Sequence, residues 1–301
     1  MHTFSFPHRV AETALQVEAW GFAGLFVGDS QNLNADVWME LALAGAVTKR
    51  ILLGPGVTNP VTRHPAVTAS ATLTLQAETG GRSVLGIGRG DTALTQIGRQ
   101  PVSVETLEKT VVALQRLLQG EEASVDGAPG RIGWIPENQP KVPLSVAATG
   151  PRVIALAAEH AEAVDFAVGS EHARLSWAIE TARAAAGDRA PSLGAFLNVA
   201  VHPDRAVARD LVRGSAAILA RFPTEAAPPA AHAQQLEDEF LDRFALAGPA
   251  EEVVERLAEV AALGIERIIV IPGSLDADPG LVAEANARFA EEVLPHLAAL
   301  G

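Results

Sequence analysis

Cysteine is missing from all 301 residues. Its absence excludes disulfide scaffolds, thiol nucleophiles, iron–sulfur clusters and cysteine-ligated zinc. Positive charge is scarce: 23 lysines and arginines face 36 aspartates and glutamates, a formal net charge of −13. A chain of that sign repels a phosphate backbone, so nucleic acid is not expected as the main partner, and any bound anion must be held locally. No stretch supplies the about 18 uninterrupted apolar residues of a membrane span, and the opening Met-His-Thr-Phe-Ser-Phe-Pro-His-Arg lacks the apolar core of a signal peptide. A soluble, cytoplasmic protein with no membrane partner is expected. Three motifs are also absent: a Gly-x-Gly-x-x-Gly with a following acid, a Gly-x-Ser-x-Gly elbow, and histidines at helical zinc-ligand spacing. The histidines His2, His8, His160, His172, His202, His232 and His296 are scattered, and no metal site is expected.

What the chain has in quantity is apolar residues, 48% of the total, enough for a sizeable core. Short apolar runs at 24–28, 51–57, 83–88, 144–148, 164–168, 193–201 and 267–272 read as strands covered on both faces, and 3–6 reads as a truncated first one. Helical patterns at 36–48, 65–79, 103–119, 151–161, 171–187, 205–221, 249–263 and 280–298 fill the gaps, with Pro65 and Pro151 as first-turn start signals. Val10, Ala14 and Val17 form one stripe of a helix after the first strand. Such alternation predicts parallel strands joined by crossover helices, and an α/β (β/α)8 TIM barrel of roughly 250 residues accommodates it as one domain over 1–301. Two connections exceed normal loop length and read as insertions: 120–143, rich in glycine and proline, and 222–247, with the alanine–proline run at 226–231.

In such a barrel the site forms at the carboxyl ends of the strands. Those positions hold Asp29-Ser30 after the second run, Gly56-Val57-Thr58-Asn59 and then Arg63-His64-Pro65 after the third, Gly88-Arg89-Gly90-Asp91 after the fourth, Thr149-Gly150-Pro151-Arg152 after the fifth and Gly169-Ser170 after the sixth. Asp29 is suited to accept ring N–H groups or to cap the next turn. Asp91 is suited to act as an acid at the mouth or to stabilise the next helix from its first turn. Arg89 is positioned to partner Asp91 or to offset an anionic ligand. His64 stands at a helix entry. Thr149 to Arg152 combines a close-approach glycine with a helix N-terminus, an arrangement that offers backbone donors, the Val153 amide included, to a phosphate, with Gly169-Ser170 as a second edge. An ordinary βα turn has the same appearance.

The stretch 53–60 (Leu-Gly-Pro-Gly-Val-Thr-Asn-Pro), continuing through Arg63 and Pro65-Ala66-Val67-Thr68-Ala69-Ser70-Ala71 to 81–91 (Gly-Arg-Ser-Val-Leu-Gly-Ile-Gly-Arg-Gly-Asp), resembles the bacterial luciferase-like superfamily, in its branch of F420-dependent methylenetetrahydromethanopterin reductases. Ala148-Thr149-Gly150-Pro151 and the segment 244–273 extend the likeness. The resemblance implies a luciferase-like barrel that binds a deazaflavin, F420, in its mouth and passes a hydride between that ring and a small organic substrate. A flavin mononucleotide (FMN) monooxygenase served by a separate reductase is the alternative. It also implies a non-prolyl cis peptide at Gly56-Val57 behind the ring, Asp29 and Asp91 as catalytic acids, and a cofactor shell of Asp29, Ser30, Gly56, Val57, Thr58, Asn59, Gly88, Arg89, Thr149, Gly150, Pro151, Arg152, Gly169 and Ser170. The family often has histidine directly after the aspartate; this chain has Ser30, whose hydroxyl only donates or accepts a hydrogen bond. Relatives commonly pair through barrel helices, so a homodimer is expected, with the alanine-rich 41–47 segment suited to close packing. A cofactor-free isomerase or aldolase would need a strand-end lysine or paired acids, and the early Lys49 sits at the wrong end of its strand. A non-catalytic binding relative is the remaining alternative.

Overall fold

A computed structural model describes residues 1–220 and 236–297. The alanine–proline run at 226–231 and most of the second expected insertion lie outside the described residues. The chain falls into two compact units, one made of 2–147 and 159–163, the other of Met1, 148–158 and 164 onward.

The first unit contains β1 (His2–Thr3), α1 (Val10–Ala19), β2 (Gly24–Val27), α2 (Val37–Val47), β3 (Leu52–Pro55), α3 (Pro65–Glu78), β4 (Leu85–Ile87), α4 (Asp91–Gln96), α5 (Val104–Leu118), a hairpin of β5 (Ala123–Val125) and β6 (Ala128–Gly130), and β7 (Leu144–Ala148). β1, β2 and β3 pair in parallel, Thr3 opposite Val27 and Val27 opposite Pro55. β3 reaches β4 through the parallel bridges Leu53 to Ser83 and Thr58 to Ile87, and β4 pairs in parallel with β7. Every carboxyl end in this row therefore faces the same edge.

Local chemistry sets the helix starts. Asp36 accepts from the Trp38 and Met39 amides at the head of α2, and Ser103 accepts from the Thr106 amide at the head of α5. α1 buries Val10, Ala14 and Val17, the expected stripe, and α5 buries Leu107, Val111, Leu114 and Leu118 along one face. Each such fully buried leucine contributes about 1.5–3 kcal/mol.

In the second unit the order is α6 (Pro151–His160), β8 (Ala163–Phe166), α7 (His172–Ala186), β9 (Ser192–Val201), α8 (Arg205–Ala220), α9 (Asp238–Phe244), β10 (Leu246–Gly248), α10 (Ala250–Ala262), β11 (Arg267–Pro272), α11 (Pro279–Arg288), a π-helical turn (Phe289–Val293) and α12 (Leu294–Leu297). β9 is its spine, paired in parallel with β11 from Gly194 to Val199 and with β10 from Val199 to Val201. Gly194 is required there, because a Cβ would stand 2.1 Å from Oδ1 of the buried Asp165, which is ion-paired to Arg267.

Seven of the eight expected strand runs hold strands, the eighth, 3–6, overlaps one only at Thr3, and the architecture is parallel α/β. Several are shorter than the apolar runs: 51–57 becomes Leu52–Pro55 and 83–88 becomes Leu85–Ile87, because the chain leaves the regular ladder at the Gly56–Val57 peptide and bridges to β4 again at Thr58. The 3–6 run yields His2–Thr3, since Phe4 and Phe6 fall outside the pairing. Sequence periodicity did not reveal α4, the β5–β6 hairpin within 120–143, α9 or β10, all too short to carry a period. Among the described residues no helix is long and apolar enough to cross a membrane.

Candidate functional site

Three loops of the first unit, following β2, β3 and β4, are tied together. Asp29, 4% exposed, closes the β2 end. Its Oδ2 accepts from the Thr58 hydroxyl at 2.7 Å, and its Oδ1 accepts from Gln31 Nε2 at 2.7 Å. Thr58 in turn donates its amide to the Gly86 carbonyl and accepts from the Gly88 amide. Asn59, also buried, accepts from the Val61 and Thr62 amides through Oδ1, which shapes the turn after β3. The start of α4 joins the group because Gly90, at φ +84°, packs against Asn59, and its end joins because Asn32 donates to the Gln96 carbonyl at 3.0 Å.

The peptide between Gly56 and Val57 is cis and non-prolyl, at the position the resemblance assigns. The Val57 side chain lies over β4: a Cβ at Gly86 would sit 3.1 Å from Cγ1 and one at Gly88 3.0 Å from Cγ2. Two glycines spaced by two residues on one strand face make room for it. His2 Nε2 lies 2.7 Å from the Gly56 carbonyl oxygen, and the Gly56 amide donates to the Val27 carbonyl.

Burial pushes the Asp29 carboxyl above its usual range, against the opposing pull of the Thr58 hydroxyl and the Arg63 guanidinium. Asp29 therefore holds a proton to higher pH than an exposed carboxyl does. It does not cap the following turn. Asn34 does, accepting from the Ser30 amide and donating to the Gly28 carbonyl. Arg63 is ion-paired with Asp36. Arg89 makes no ion pair with Asp91 among the described residues; its Nε donates to the Val102 carbonyl at 2.7 Å, so it fastens the loop before α5. Asp91 occupies the first turn of α4 behind the Gly90 cap position. His64 is the N-cap of α3, accepting from the Ala66 amide through Nδ1, with Nε2 3.6 Å from Asp126 of the hairpin turn. Sequence reasoning missed Gln31 and weighed His2 only as a metal ligand. No local signal announces either, since their partners are set by the loop's path and by β1.

The second unit carries the other expected segment. The Ala167 amide donates to the Ala148 carbonyl, which places the turn at Thr149 beside the one at Gly169. The Gly150 carbonyl accepts from both the Val153 and Ile154 amides, so the Val153 donor is already used. No atom lies within 4 Å of a Cβ at Gly150. Ser170 is committed inside the protein: its amide donates to the Phe244 carbonyl, its hydroxyl donates to the Arg243 carbonyl, and that oxygen accepts from Arg256. Gly169, at φ +83°, packs against the Phe244 ring.

Polar residues gathered at the carboxyl ends of parallel strands stand where α/β enzymes of this architecture build their sites. The chain belongs to the luciferase-like monooxygenase family, whose model matches residues 3–267. It is 28% identical over 297 residues to the 5,10-methylenetetrahydromethanopterin reductase of Archaeoglobus fulgidus, covering 83% of this chain and 85% of the relative. It is 28% identical over 328 residues to the F420-dependent glucose-6-phosphate dehydrogenase of Microbacterium testaceum, covering 97% and 94%. In fold it is similar to the coenzyme F420 dependent tetrahydromethanopterin reductase of Methanopyrus kandleri, with a TM-score of 0.78, 21% identity and 98% coverage of both chains.

Proposed function

We propose that the protein is an F420-dependent oxidoreductase that transfers a hydride between the deazaflavin and a small organic substrate. The observation that carries this is the buried Asp29–Thr58–Gln31 node set beside the Gly56–Val57 peptide, in a chain whose relatives across most of its length include F420-dependent enzymes. The residues fit such a group. Gln31 Oε1, Asn59 Nδ2 and Thr62 Oγ1, in the loops after β2 and β3, are buried without a hydrogen-bond partner among the described residues, and a coenzyme with donors and acceptors on its edge offers partners of the right kind. When bound, F420 supplies the two-electron hydride chemistry.

The protein's part is positioning. Val57 and the glycines of β4 form a wall, Ser30, Thr58, Asn59 and Arg89 fix the loops around it, and Asp29 holds or releases a proton at its carboxyl oxygens. Asp91, at the head of α4, is the second acid of the proposal. Holding two reacting carbons in van der Waals contact is worth about 7–11 kcal/mol, so orientation supplies most of the catalysis. The anionic tail is assigned to the Thr149 hydroxyl and the Gly150 and Arg152 amides, where Pro151 starts α6 and the helix dipole favours negative charge. Gly169-Ser170 is assigned as the second edge of that cradle, with the Ser170 amide and hydroxyl already bonded to the Phe244 and Arg243 carbonyls.

Eight of the nine strands in the parallel sheets of the described residues, all but the short β10, are taken as the staves of a closed (β/α)8 barrel in a single domain, working in the cytoplasm. A homodimer is part of the same reading: α2 is apolar nearly all round, with Leu41 and Ala44 buried while Met39 and Leu43 are 70% and 53% exposed. Met39→Lys is expected to shift the sedimentation coefficient towards a monomer.

The deciding experiment is a titration of the purified protein with F420 and with FMN, repeated on Gly150→Trp. Saturable F420 binding, weakened by the tryptophan, is expected. Binding of FMN alone would move the protein to the monooxygenase alternative, and binding of neither would end the redox reading.

A further inference from the structure

Among the described residues the Gly56 carbonyl is met by one side chain, His2 of β1, 54 residues earlier. A carbonyl oxygen only accepts, so Nε2 must carry the hydrogen. Burial pushes the His2 imidazole down to about 4, which keeps the ring neutral and Nε2–H available throughout the physiological range. The ring is held edge-on by Phe4, with centroids 5.4 Å apart. Space around the bond is closed: a Cβ on Gly56 would stand 2.6 Å from Phe26 Cβ and 3.0 Å from His2 Cδ2. Gly56 is thus gripped at both its polar groups, by Val27 at the amide and by His2 at the oxygen. The first grip is ordinary strand pairing; the second depends on one side chain.

We propose that His2 is a positioning residue whose Nε2–H, by holding the Gly56 carbonyl, sets the backbone wall at Gly56–Val57 against which the coenzyme ring packs. This rests on the F420 reading above. In this role His2 acts through Gly56 and not by direct contact with coenzyme or substrate.

The test uses His2→Phe, which keeps the ring's bulk and removes the donor, and His2→Gln, whose amide reaches about as far as the imidazole Nε2. F420 binding, followed by fluorescence quenching and by the absorbance of the bound coenzyme, is expected to weaken about tenfold in His2→Phe, equivalent to about 1.4 kcal/mol. His2→Gln is expected to recover most of the loss, and both variants to melt cooperatively. Unchanged binding in His2→Phe, or equal weakening in both variants, overturns the assignment. Should His2→Phe fail to fold, the 15N signal of His2 in the unaltered protein decides. A shift of Nε2 on F420 addition supports the role, and an unmoved signal overturns it. If the unaltered protein binds neither F420 nor FMN, the redox reading falls and this assignment with it; normal binding that His2→Phe leaves intact defeats only the role of His2.

Discussion

Two buried carboxylates stand at opposite ends of the β2–β3 pair, and their surroundings drive them in opposite directions. At the amino end, Glu18 accepts from three backbone amides, Lys49 at 2.9 Å, Arg50 at 2.6 Å and Ile51 at 3.2 Å, and those donors, the Arg50 amide foremost, hold its carboxyl below the usual range. At the carboxyl end, Asp29 has two side-chain donors among the described residues, and burial raises it. The first is a structural clasp that fixes the entry of β3. The second is a polar group whose charged form burial disfavours, a pattern that functional sites share with some structural networks.

The most severe way to break the comparison is to force apart the strands that support the Asp29 end. Gly86→Ala would put a Cβ 2.4 Å from the Pro55 carbonyl oxygen, separate β4 from β3, and cost about 3 kcal/mol or more in chemical denaturation.

Next in size, Glu18→Ala is expected to cost about 1–3 kcal/mol near neutral pH by stranding strand-entry amides. Because the folded carboxyl titrates below the unfolded one, its contribution is present above the unfolded value and fades as pH falls through the folded one. Melting curves of Glu18→Ala and the parent should therefore converge in acid.

Asp29→Asn should do the reverse. A carboxyl raised on folding loses stability as pH climbs through its folded value, so the uncharged variant gains about 0.5–2 kcal/mol at neutral pH, and the gain vanishes in acid. Gln31 accommodates the change by turning its amide, since its Oε1 has no partner to lose. The same variant is expected to lose F420 turnover. A destabilised Asp29→Asn protein at neutral pH would abolish the contrast with Glu18.

The smallest effect is expected at Gly150→Ala, where open space surrounds the new Cβ. Stability should hold within about 0.5 kcal/mol, marking this turn as one that folding leaves free.

Motifs with local causes were legible beforehand. The apolar strand runs, the α1 stripe, the helix entry at His64-Pro65 and the turn before Pro151 all declare themselves within a few residues. The cis peptide at Gly56–Val57 came from the family likeness, not from spacing. Asp29 stood out as a strand-end acid, but its apparent alternative role, turn capping, belongs to Asn34. Arg89 was read as a partner for Asp91 or a counter-charge for an anionic ligand; among the described residues it makes no ion pair with Asp91, and its Nε fastens the Val102 carbonyl. Gly169-Ser170 was read as a second edge of the phosphate cradle; the Ser170 amide and hydroxyl donate to the Phe244 and Arg243 carbonyls, pairings no local signal announces.

Composition and periodicity alone determined a parallel α/β chain with no thiol chemistry, a strongly acidic surface and polar residues gathered at strand ends, because burial patterns and turn preferences act over neighbouring residues. Only the tertiary structure decided that Thr58 meets Asp29 and that His2 meets Gly56. Those pairings span 29 and 54 residues and depend on parallel register and close glycine contacts, which a sequence encodes only through the fold as a whole.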